Sequence, residues 1–150
     1  MTTTEGAGTF TAAERAAMKD RAAELRVEGR AGKAAAKAVQ LEADVLAKIA
    51  ELPDEDRVIA ERVHAIVRQA GPGLAPRTWY GMPAYTRDGK VVVYVKPASK
   101  FGQRYTTLGF EDAAALDDGD LWATSYAVTR MTDDVAERVA ALVRRAAGGA

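Results

Sequence analysis

The chain contains no cysteine, which excludes a disulfide scaffold, a thiolate nucleophile and a sulfur-ligated metal cluster. It has one histidine, His64. That is too few for the common His-rich metal sites, and it leaves a single candidate for a histidine general base. Serine occurs at positions 99 and 125 alone, and neither Ser99 nor Ser125 stands in the Gly-x-Ser-x-Gly context of a hydrolase nucleophile. Neither Gly71 with Gly73 nor Gly148 with Gly149 makes a phosphate loop. No uncharged apolar run approaches the roughly 20 residues that span a bilayer. Met1–Gly8 lacks the basic start and apolar stretch of a secretory leader, so a cytoplasmic protein without a membrane anchor is expected. The net charge is zero, which argues against bulk attraction to nucleic acid or to an anionic membrane.

Large apolar residues are scarce at the front of the chain. Of the 150 residues 48% are hydrophobic, but 32 of them are alanines, and just six of the other 40 fall in the first 40 positions. A core is therefore expected within residues 41–147, and residues 1–40 read as an attached helix and linker. Thr11 and Glu14 have the spacing of a capping box, and the helix it opens has Met18, Ala22 and Leu25 as its only apolar line. Residues 29–37, basic and holding Gly29 and Gly32, read as a hinge.

Beyond position 40 the periodicity sharpens. Leu41, Val45, Ile49 and Leu52 recur at helical spacing until Pro53. Pro53 can also open the next helix, with Asp54, Glu55 and Asp56 at the positive end of its dipole. Ile59, Val63, Ile66 and Ala70 give that helix a buried face, His64 beside them reads as a partly buried helix residue, and Gly71-Pro72-Gly73 stops it. The period then becomes alternating. Residues 78–86 read as one extended strand, confined to an edge or a bulge by Gly81 and Pro83. An Asp88–Gly89 turn joins it to Val91–Val95. Strands over 104–110 and 121–129 follow, then a helix capped by Thr132. Helices, a meander and a closing helix predict an α+β domain: an antiparallel sheet of four to five strands with helices on one face, plus the N-terminal helical extension.

Two clusters carry candidate chemistry. Between Arg77 and Arg104 six basic residues interleave with Trp79, Tyr80, Tyr85, Tyr94 and Phe101 against the single acid Asp88. Rings beside cations can hold an anionic ligand or a partner strand. Trp79, Tyr80, Met82, Pro83, Tyr85, Tyr94 and Lys96 are the candidate binding residues. Carboxylates cluster at Asp54, Glu55 and Asp56 and again from Glu111 to Asp120, and converging oxygens can hold a hard cation. No catalytic constellation emerges.

The elements Trp79-Tyr-Gly-Met-Pro-Ala-Tyr85, Gly89-Lys-Val-Val-Val93, Lys96-Pro-Ala-Ser-Lys-Phe101 and Leu108-Gly-Phe110 resemble the YdhG-like family of bacterial domains of unknown function. The likeness runs from about Leu41 to Val143. That family is grouped with YjbR-like and frataxin-like (CyaY-like) domains, and some of its members are labelled iron chaperones. The resemblance implies a compact α+β domain and a non-catalytic role in weak iron binding with a protein partner as acceptor. Asp54, Glu55 and Asp56 are the metal-ligand candidates. The alternative expectation, from the residues themselves, is a small binding module whose aromatic and basic sheet face takes a small anionic molecule or a protein.

Overall fold

The computed structural model describes residues 10–148, without the side chains of residues 27 and 28. The expectation of no leader at Met1–Gly8, and Gly149, lie outside the described residues. The chain divides into two compact units, residues 1–37 and 38–150.

In the first unit the described residues are helical from Ala12, within a helix α1 that runs Ala12–Ala50. The capping box forms: the Glu14 amide donates to Thr11 Oγ1 at 3.1 Å, and the Thr11 hydroxyl donates to Glu14 Oε1 at 3.1 Å. The hinge expected at 29–37 is instead helical. Two glycines cost a helix about 1 kcal/mol each relative to alanine. The alanines, lysines and arginine around them are strong helix formers, and no proline intervenes. No helix among the described residues is long and apolar enough to cross a membrane.

The second unit is the α+β fold. Helix α2 spans Asp54–Ala70 and helix α3 Asp133–Ala146. Strands β1 (Ala75–Trp79), β2 (Met82–Arg87), β3 (Lys90–Lys96), β4 (Thr106–Phe110) and β5 (Ser125–Val128) form one antiparallel sheet in chain order. The stretch 78–86 is thus two strands. Trp79 pairs with Met82 around a two-residue turn, Tyr80–Gly81, in which both residues have positive φ (52° and 73°). Asp88 and Gly89 make a second such turn, at φ 51° and 78°. The positive φ at two consecutive centres matches the right-handed strand twist. Pro83 lies on an interior strand, not an edge. It stands outside the β2–β3 ladder, which begins at Ala84 opposite Tyr94, so its missing donor leaves no gap there.

The register of β2 on β3 shifts between Tyr85 and Thr86, which face Val93 and Val91. The extra residue is Val92, and this bulge lets the consecutive Val92 and Val93 both reach zero exposure in the core. Around them pack Val45 and Ile49 of α1, Ile59, Val63 and Val67 of α2, Leu108 and Phe110 of β4, and Val139 and Val143 of α3. Thr132 caps α3 by accepting the Val135 amide at 3.2 Å. At the far end Arg87 donates to the carbonyls of Ala147 (2.7 Å) and Ala113 (2.9 Å), so a strand residue satisfies one acceptor just past the end of α3 and another in the turn after β4.

Candidate functional site

Because side chains alternate across a sheet, the candidate binding residues divide between its faces. Tyr85 points at the helices and is fully buried. Ala84, one residue earlier, therefore faces the other way, in a row with Tyr94 and Gly109. A Cβ added to Gly109 would come 2.1 Å from Tyr94 Cζ, so the Tyr94 ring lies directly on the Gly109 backbone. Trp79 meets Tyr94 edge-on, with centroids 5.3 Å apart, and meets Tyr80 at 5.2 Å. Lys96 continues the row with its ammonium 5.1 Å from the Phe101 ring centre. Trp79, Met82, Tyr94 and Lys96 thus share the outer face. Tyr80 stands at the turn tip, 79% exposed, and Pro83 faces inward with Tyr85. Burial, and then the charge of Glu111, raises the Tyr94 phenol above its ordinary value.

Tyr85 belongs to a polar chain that crosses the core. Its hydroxyl lies 2.9 Å from His64 Nδ1, and His64 Nε2 lies 3.0 Å from Glu42 Oε2, which Arg68 Nε also reaches at 3.2 Å. Burial, reinforced by Glu42 and opposed by Arg68, raises the Tyr85 phenol far above its ordinary value, so the group remains an O–H donor. The arrangement that satisfies every partner has Tyr85 donating to Nδ1 of a neutral imidazole, whose Nε2–H donates to Glu42. A phenol sealed in this way cannot meet a substrate. The network pins α1 and α2 to the sheet, and His64 is a fully engaged buried residue. Sequence spacing does not reveal it, since Glu42 and Tyr85 stand 22 and 21 residues from His64.

The three metal-ligand candidates do not converge. Asp54 pairs with Arg57 at 3.0 Å, and Glu55 is exposed. Asp56 is buried, and its Oδ2 accepts both the Ser99 amide at 2.9 Å and the Ser99 hydroxyl. Among the described residues no group of three or more His, Asp or Glu is placed to hold a metal ion.

What Asp56 does instead is fix a loop that walls a cleft. The 97–102 loop is held by Asp56, by the Ala98 amide donating to Thr106 Oγ1 (3.2 Å), and by Lys100 Nζ donating to the Gly81 carbonyl (2.9 Å). Gly102, at φ 65°, ends its single 3₁₀ turn. Beside this loop lies a cleft of about 430 Å³, lined by Lys48 and Glu51 of α1, Leu52 and Pro53 at the α1–α2 corner, Gly81 and Pro83, and Ser99 and Lys100. Lys48 and Glu51 are only loosely paired, at 3.9 Å. The cleft is concave, apolar along its proline and leucine surfaces, and carries two ammonium groups and the Glu51 carboxylate. Of the seven residues expected to bind a ligand, Pro83 lines it. Lys100 is one of the six basic residues between Arg77 and Arg104, but Lys48 is not among the sequence candidates, because only the fold brings that helix end to the loop.

Comparison with protein-family models, with curated protein sequences and with solved structures returned no match.

Proposed function

We propose that residues 38–150 are a non-catalytic binding module that takes a small anionic molecule in the cleft between the α1–α2 corner, the Tyr80–Gly81 turn and the 97–102 loop. The observation that carries this reading is the cleft itself, with Lys48 and Lys100 beside an apolar surface of Leu52, Pro53 and Pro83. Its volume falls in the range of ligand sites, which are mostly apolar with a few placed polar groups. Two ammonium groups match a carboxylate or phosphate, and the apolar walls match a short hydrocarbon or ring. The wall is held by three separate hydrogen-bonded anchors, which limits the ordering cost of binding.

This reading moves the site from the outer rings to the end of the sheet. The rings of Trp79 and Tyr94 pack on each other and on Gly109, while the cleft opens next to Tyr80. An iron role of the kind the YdhG-like resemblance implies would require Asp56 to exchange its two Ser99 bonds for metal.

The test is calorimetric titration of the whole chain with phenyl phosphate and with benzoate. Saturable one-to-one binding is expected, weakened at least tenfold by Lys48→Gln. Absence of binding by both anions, or binding that Lys48→Gln leaves unchanged, would overturn the proposal.

A further inference from the structure

The zero net charge of the chain conceals a one-sided charge distribution in the first unit. At 3.6 residues per turn, Arg15, Lys19, Arg26, Arg30, Lys33 and Lys37 fall within a single sector about 60° wide. All six are exposed. Of the described acids, Asp20 stands about 80° and Glu14 and Glu24 about 100° or more from the nearest edge of that sector. Among the described residues none of the six cations forms an ion pair; the pair closest to them, Arg21 with Glu24, lies off the stripe. Six like charges held on one line repel one another, and no carboxylate among the described residues of the unit falls within that sector. The residues flanking the stripe are small, Ala22, Ala23 and Gly29, so no bulky side chain keeps a partner from the cations.

From these observations we infer that the stripe Arg15–Lys37 is a docking surface for the phosphate backbone of double-stranded DNA, independent of base sequence. The stripe covers 23 residues, hence about 33 Å of helix between its ends, close to the roughly 34 Å of one turn of B-DNA. A polyanion with closely spaced charges complements a row of cations that recur every three to seven residues along one helix face. An α-helix also matches the major groove in width. Contacts from these lysines and arginines to phosphate carry no sequence information.

A membrane surface fits less well. Interfacial helices bury a broad apolar face, whereas this one offers only Met18 and Leu25 as large described apolar residues, with acids on the side away from the cations. An acidic protein would supply irregular, screened charge rather than a continuous row.

The experiment measures anisotropy of two unrelated 24-base-pair DNA duplexes with the whole chain from 50 to 200 mM salt. Neutralising six phosphates gives a log–log salt slope near about −5, so affinity should fall roughly a thousandfold over that range. Both duplexes should bind alike. Arg30→Gln should reduce the slope by about one, and the quadruple change of Arg26, Arg30, Lys33 and Lys37 to Gln by about four. Glutamine keeps helix propensity, and far-ultraviolet circular dichroism checks that the helix persists. Asp20→Asn with Glu24→Gln, off the stripe, should not lower the slope. Absence of duplex binding at 50 mM salt, an unchanged slope in Arg30→Gln, equal binding to poly-glutamate, or binding to phosphatidylserine vesicles in preference to DNA would each overturn the assignment.

Discussion

Replacing Tyr85 by phenylalanine removes one oxygen from the centre of the core and nothing else. The ring remains buried among the same neighbours, still 5.7 Å from the imidazole centre, so no cavity larger than a hydroxyl forms. What changes is that His64 Nδ1 loses its donor at 2.9 Å, on a buried residue. An unsatisfied buried group of this kind costs about 1–3 kcal/mol. At an ordinary urea dependence, about 2 kcal/mol lowers the midpoint of unfolding by about 1 M with the slope unchanged. His64→Leu is the complementary change. It strands the Tyr85 hydroxyl and removes a donor from Glu42, which keeps Arg68 at 3.2 Å, and it should cost at least as much. The double variant removes both ends of the Tyr85–His64 bond. It should recover about 1–3 kcal/mol relative to the sum of the single changes, because deleting both partners leaves nothing stranded. Urea denaturation of the four proteins, followed by fluorescence, completes the cycle. Additivity within about 0.5 kcal/mol, or a Tyr85→Phe protein as stable as the parent, would refute the network.

Three further outcomes follow from the same geometry. The Tyr85 and Tyr94 phenols are both raised above their ordinary value by burial; the unfolded chain therefore releases these protons first as pH rises past about 10, and stability present below that pH falls above it. Unfolding midpoints measured from pH 8 to 11.5 should show the decline, and Tyr85→Phe should flatten it; a parent curve level to pH 11.5 would contradict the burial argument. Asp56→Ala strands the Ser99 amide and hydroxyl and frees the 97–102 loop, so a loss of about 2–3 kcal/mol should accompany weaker phenyl phosphate binding, and an unaffected affinity would disconnect the loop from the cleft. Tyr80 holds a positive φ of 52° with most of its side chain in solvent, so Tyr80→Asn should stabilise the turn by about 0.5–1 kcal/mol; a loss of stability by the same assay would show that its contact with Trp79 outweighs the backbone strain.

The parts of the fold that local chemistry determines were legible in the residues. Pro53 with three acids opens α2, Gly71 closes it with an amide bonded to Val67, Thr132 caps α3, and Asp88–Gly89 turns the chain between β2 and β3. Each is a signal within four or five residues. Local signals fail where a stronger context outweighs them. Tyr80 does not announce a turn, since a tyrosine with positive φ is disfavoured, and only the pairing of β1 with β2 imposes it. Gly29 and Gly32 signal a break but are outweighed by their helix-forming neighbours. Composition groups the rings together, but alternation across the sheet separates Tyr85 from Tyr94 however similar they look in the chain. The acids at 54–56 do stand at a helix entry, yet the burial of Asp56 and its capture of Ser99 depend on a loop 43 residues away. The cleft, likewise, exists only once Lys48, Pro83 and Lys100 are folded together.

The central claim, that the cleft beside the Tyr80–Gly81 turn receives a small anion, is tested most directly by amide chemical-shift mapping of the isotopically labelled chain during titration with phenyl phosphate. The account predicts saturable shifts concentrated at Lys48, Glu51, Leu52, Gly81, Ser99 and Lys100, with Val92, Ala127 and Val139 unmoved and the response largely abolished by Lys48→Gln. Shifts confined to the outer face around Trp79, Tyr94 and Lys96, or an unchanged spectrum at millimolar ligand, would contradict it.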